Sequence, residues 1–95
     1  MTTFIMKGKY SADSVKKISK ARTVKAVEII KKSKGKLVAA YATMGETDLI
    51  FITEFPSVAE AIKASINLNK NLGISFATLP ALKVVEFDKV AAGKQ

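Results

Sequence analysis

Apolar and polar positions alternate through Thr2–Tyr10, with Phe4, Met6 and Tyr10 interleaved with Thr3, Ile5, Lys7 and Lys9. Side chains of an extended chain point alternately to its two faces, so this period of two predicts a strand. From Ala12 the period changes to three, at Ala12, Val15, Ile18, Ala21, Val24, Val27 and Ile30. A helix advances about 100° per residue, so a strict three-residue step drifts back by ~60° each time and the stripe winds round the helix. One straight helix cannot bury them all on one side. A break or tight turn near Ser19–Thr23 is predicted, with Ser11 capping the first piece and Thr23 the second. Lys31, Lys32 and Lys34 then fall at the C-terminus, where cations suit the helix dipole, and Gly35 is the expected residue just past the end.

Lys36–Met44 and Asp48–Phe55 read as two strands joined by a tight turn at Gly45–Asp48. Ser57-x-x-Glu60 is a capping box and starts a second helix, whose apolar face is Val58, Ala59, Ile62 and Ile66, with Ala61 and Leu68 alongside, and which Gly73 ends. Ile74–Phe87 reads as the last strand, interrupted by Pro80, and residues 90–95 as a flexible tail. The order is βαββαβ over one domain, residues 1–95. With right-handed crossovers, the commonest arrangement is the α+β ferredoxin-like sandwich, a four-stranded antiparallel sheet. Its first and third strands are central. The second and fourth are edges, where Pro80 is tolerated because it lacks a ladder donor.

Both helices of such a sandwich cover one face of the sheet. The second strand carries Leu37, Ala39, Tyr41 and Thr43 on one side and Val38, Ala40, Ala42 and Met44 on the other. The third carries Leu49, Phe51, Thr53 and Phe55 opposite Asp48, Ile50, Ile52 and Glu54. Neither side is polar. Bare, the second face exceeds the few hundred Å² of apolar surface that monomers usually expose, so a sheet-on-sheet homodimer is expected.

Composition removes several chemistries. The chain has no Cys, His or Trp, which rules out disulfides, thiolate chemistry and a Ser-His-Asp triad and leaves no ordinary zinc or copper ligand set. No metal or cofactor is expected. No apolar run approaches the ~20 residues of a bilayer span, and no basic segment precedes a long apolar one. A cytoplasmic protein without membrane contact is the expectation. The net charge is +8, with eleven Lys/Arg in residues 1–36 against Asp13 and Glu28. This surplus is either a solvated helix exterior or a polyanion-binding face on the first helix, around Lys16, Lys17, Lys20 and Lys25.

Carboxylate chemistry meets a distance limit. Asp48 and Glu54 share a side of one strand, but a six-residue separation is roughly 20 Å, against the ~5–10 Å of glycosidase-type pairs. No catalytic residue is identified. Glu46 and Asp48 fit a turn. Glu54 ends an apolar strand face just before Pro56, which suits a lysine salt bridge, a ligand contact, or the base of a cofactor-free enzyme. Tyr41 and Thr43 offer hydroxyls that can orient a small ligand in an apolar cavity. Tyr41, Thr43, Gly45, Asp48 and Glu54 are therefore the candidate ligand-binding set, in a pocket between sheet and helices or between subunits. RNA-recognition domains share the strand and helix order, and Phe51 and Phe55 share a side that Phe4 can join. The Lys-Gly-aromatic pattern is absent, however, and Asp48 and Glu54 repel phosphate, so nucleic-acid binding is not expected.

The Tyr41–Met44 strand, the Gly45-Glu-Thr-Asp48 turn, the Glu54-Phe-Pro56 exit and Thr78-Leu-Pro-Ala-Leu82 resemble the GYD domain family of the dimeric α/β-barrel group. Strand-ending Tyr10 and the helix interruption around Ser19–Arg22 extend the resemblance over nearly the whole chain. Thr47 stands where the family's motif has an aromatic. The Gly-x-x-Asp hairpin is also similar to that of Lrp/AsnC effector domains, which bind amino acids at a subunit interface near this turn. The resemblance implies a ferredoxin-like fold and a homodimer, and no particular reaction.

Overall fold

The alternating segment Thr2–Tyr10 forms strand β1, at the centre of a sheet with β2 (Lys36–Ala42), β3 (Leu49–Phe55) and β4 (Ile74–Ala81). The computed structural model describes residues 1–93. The sheet has four strands in the order β2-β3-β1-β4, all antiparallel, as the ferredoxin-like sandwich requires. Helices α2 (Lys20–Lys32) and α3 (Val58–Leu72) cover one face. Their inward residues Ala26, Ile29, Ile30, Ala61, Ala64 and Leu68 pack on Phe4, Met6, Phe51 and Phe55. Thr53 lies in the same layer, fully buried, and its hydroxyl donates to the Phe4 carbonyl (3.0 Å).

The three-residue apolar step does break the first helix, but earlier than expected. A short helix α1 (Ala12–Val15) is capped by Ser11, whose Oγ accepts from the Ser14 N–H (3.0 Å). Ser19, rather than Thr23, then caps α2 by accepting from the Arg22 N–H (3.2 Å). Thr23 lies one turn inside, where its hydroxyl bonds back to the Ser19 carbonyl.

The end of α2 also differs. Lys34, not Gly35, takes the left-handed position (φ 64°). The Lys34 N–H donates to Lys31 O (2.9 Å) and the Gly35 N–H to Ile30 O (3.0 Å), which is the paired-bond Schellman ending. Glycine serves another purpose at position 35. A Cβ there would lie 2.3 Å from Cε1 of Phe55, a ring with no freedom to move because it is fully buried. Gly35→Ala is therefore expected to cost about 1–3 kcal/mol by overpacking. Gly8→Ala meets Phe76 at 2.6 Å, but that ring is only half-buried on edge strand β4. It can swing aside, so urea unfolding should show Gly35→Ala as the costlier change.

Three further expectations are corrected. The last strand stops at Ala81, and Val84–Ala91 is a helix, α4, not strand. Val90 and Ala91 belong to that helix; of the expected tail, residues 94 and 95 lie outside the described residues. A bulge between Leu37 and Ala39 shifts the register of β2, so the expected alternation fails beyond Leu37. Ala40 and Ala42 pair with inward-facing Phe51 and Leu49, while Ala39 and Tyr41 pair with outward-facing Ile52 and Ile50. Finally, Ser57 stands at the N-cap of α3, but its hydroxyl bonds the Glu60 carboxylate instead of a backbone N–H. That bond, chiefly, holds the exposed Glu60 carboxyl below its usual pKa. Pro80 sits, as expected, on an edge strand, opposite Phe4. No helix among the described residues is long and apolar enough to cross a membrane.

Candidate functional site

The break between α1 and α2 leaves a gap over the inner face of the sheet. Facing it are small residues, Ala26 on α2 and Ala40 and Ala42 on β2, where larger side chains would fill the space. The result is a cavity of about 150 Å³. Its floor is Ala40, Ala42, Leu49, Phe51 and Ile74, and its roof is Ile18, Ser19, Arg22, Thr23 and Ala26. It opens to solvent along β2, where Ala40, Tyr41 and Ala42 are exposed, and an apolar cleft between two layers is a candidate ligand site.

Among the described residues, Arg22 is the only charged one in its lining. Nη1 donates to the Ser14 carbonyl and to Ser14 Oγ (2.9 Å). The guanidinium carbon lies 4.8 Å from the centroid of the Tyr10 ring, within cation–π range. Nη2 is buried and finds no acceptor among the described residues. Ser14, itself buried, donates onward to the Leu72 carbonyl (2.9 Å), which ties the short helix to the end of α3.

The five residues expected to form the site are not brought together. Tyr41 borders the cavity as part of edge strand β2. Thr43, Gly45 and Asp48 build the β2–β3 turn. The Thr43 N–H donates to Asp48 O (2.8 Å) and the Asp48 N–H to Gly8 O (2.8 Å), while the Thr43 hydroxyl bonds the Thr47 carbonyl. Gly45 has φ 115°, a conformation that favours glycine. Glu54 lies on the outer face, directly opposite Lys36 and Thr3.

Asp48 nonetheless bears on the cavity through a neighbour. Its Oδ2 accepts from the Tyr10 N–H (2.9 Å), fixing the residue whose ring lies against Arg22. Asp48→Ala leaves that part-buried donor without its acceptor and is expected to cost about 1–3 kcal/mol. Asp48→Asn keeps an acceptor oxygen and should cost less. Chemical denaturation of the two variants checks the ordering.

Sequence reasoning missed Arg22, Tyr10 and Ala26. One signal was available: Arg22 is the single arginine among sixteen basic residues. Arginine presents a rigid planar fork of donors that lysine cannot copy.

The model of the GYD domain matches residues 4–91. The chain belongs to the GYD domain family. The GYD protein is also similar in fold to the crystal structure of the Mycobacterium tuberculosis Leucine response regulatory protein (LrpA). The TM-score is 0.57 at 7% identity, with 86% of this chain and 51% of that chain covered. The GYD protein thus spans about half the length of that regulator, and at this identity the likeness concerns the fold. Among curated proteins none matches the chain. Thr47 supplies its carbonyl to the turn.

Proposed function

We propose that this GYD protein is a small-molecule-binding module that works as a homodimer, sheet against sheet. The observation that carries the binding role is the cavity between the inner sheet face and the α1–α2 break, apolar on its floor and polar at its roof. A cavity of about 150 Å³ takes a body the size of a benzene ring. Binding is favoured over carboxylate-based catalysis because no Asp or Glu among the described residues lines the cavity and Glu54 sits on the opposite face. The homodimer is supported by the outer face, where Ile5, Ile50, Ile52, Leu79 and Tyr41 form adjoining rows. Thr3, Glu54 and Lys36 edge that patch on one side, while Lys7 stands within it on central strand β1, between Ile50 and Ala77.

The test of binding is a two-dimensional NMR titration of the protein with uncharged benzene-sized compounds. Amide shifts are expected at Ala26, Ala40 and Phe51. In Ala40→Phe, which fills the cavity from the strand edge, they should vanish. Shifts spread evenly over the surface, or the same shifts in Ala40→Phe, would show that the cavity is not a ligand site.

A further inference from the structure

We propose that a reciprocal ion pair, Lys7 of each copy with Glu54 of the other, sets the register of the homodimer. This rests on the sheet-on-sheet homodimer and adds the position of its two-fold axis and the polar contact that fixes it. Lys7 carries the inference. It is exposed on the outer face of central strand β1, and its cross-strand neighbours, Ile50 and Ala77, are apolar. Interface centres are depleted of lysine, because an ammonium that is covered must be paired. Neither neighbour can pair it. Among the described residues the four strands carry one carboxylate, Glu54 of β3. It lies on the same outer face, half-buried, opposite Thr3. Asp48, just before β3, is already engaged by the Tyr10 N–H (2.9 Å).

Within one chain Lys7 and Glu54 are too far apart for a direct bond. Lys7 stands opposite Ile50, so four residues of strand, roughly 13 Å, separate it from Glu54. Between copies the two can meet. In a two-fold dimer residue i contacts j and j contacts i. The axis brings Lys7 over Glu54 of the other copy only if it passes through the midpoint of the line joining them. Ile5 lies halfway from Thr3 to Lys7, Ile52 lies halfway from Glu54 to Ile50, and the two are register partners. The midpoint is therefore the Ile5–Ile52 pair, flanked by Leu79 and Ala39. The interface is then apolar at its centre, with one ion pair on either side. Because the line from Lys7 to Glu54 runs mainly along the strands, the facing sheets stay roughly aligned, a usual packing for two sheets. Lysine and glutamate side chains reaching from opposite sides can bridge the gap of about 10 Å between such sheets. Lys36, opposite Glu54 on the edge strand, does not exclude Lys7, since a carboxylate has two acceptor oxygens.

The experiment is sedimentation of two single variants of the full chain, alone and mixed. Lys7→Glu sets glutamate against Glu54 in both pairs, and Glu54→Lys sets lysine against Lys7. Each alone is expected to raise the dimer dissociation constant about 100-fold or more, since like charges facing each other across an interface are strongly unfavourable. Mixed one to one, the two variants form a heterodimer in which both pairs attract. Its dissociation constant should return to within about tenfold of that of the unmodified chain. Circular dichroism checks that each variant folds. If Glu54→Lys fails because Lys36 stands opposite, Lys36→Gln combined with Glu54→Lys takes its place. Single variants as tight as the unmodified dimer, or a mixture no tighter than its components, would overturn the ion pair and leave the homodimer standing. An unmodified chain that is monomeric at micromolar concentration would overturn both.

Discussion

Replacing Phe55 with alanine is expected to lower the unfolding free energy by about 3–5 kcal/mol, the range for emptying a buried aromatic site. Phe55 is fully buried, its ring meets that of Phe4 edge-on at 6.0 Å, and its edge occupies the space over Gly35. The neighbours cannot collapse easily into the gap. Phe4 belongs to a central strand, and Gly35 has no side chain to offer. Domains commonly have only about 5–15 kcal/mol in hand. A fall in Tm of ~12 °C or more is therefore expected, at roughly 4–8 °C per kcal/mol for a domain of this size. Ile62→Ala is the matched control. Ile62 is half-exposed on α3, and its loss should cost under ~1 kcal/mol. Equal costs for the two would mean that the core does not centre on Phe55.

The second large effect is on assembly. Ile52 is on central strand β3, paired with Ile5 on one side and Ala39 on the other. Its side chain points away from the helices. Ile52→Lys therefore leaves the core intact, but in a sheet-on-sheet dimer it buries two unpaired ammonium groups, one from each copy. An uncompensated buried charge costs several kcal/mol. The dimer dissociation constant is expected to rise by at least ~100-fold, equivalent to about 2.7 kcal/mol. Sedimentation velocity should show a folded monomer, with circular dichroism unchanged. A variant that stays dimeric would place the interface elsewhere, for instance on α4, which has no buried residue and exposes Val84, Val85, Phe87 and Val90.

How much of this was legible in the chain follows from the range of each interaction. Local signals were read well. Alternation gave β1, the three-residue step gave the broken helix, Gly73 marked the end of α3, and the element order gave the sheet topology. Features set by a neighbour far along the chain are less visible in the sequence. The β2 bulge is set by pairing with β3, and nothing between Leu37 and Ala39 announces it. Gly35 looked like a helix terminator, but its reason is Phe55, twenty residues on. Leu82–Phe87 is a short apolar run without glycine, which periodicity alone cannot divide between strand and helix. The site was hardest. Tyr10, Arg22 and Asp48 are linked only after β1, α2 and the hairpin turn have been brought side by side. Asp48 was visible as a turn residue, but its bond to the Tyr10 backbone was not.

The sheet has two apolar faces, and the proposed function gives each a different role: the inner one floors a ligand cavity beneath the helices, and the outer one joins two copies. Sedimentation equilibrium of the unmodified chain at micromolar concentration tests that division most directly. The mass expected is twice the 10.2 kDa of one chain. A single-chain mass at that concentration would contradict it and leave the outer face without its second copy.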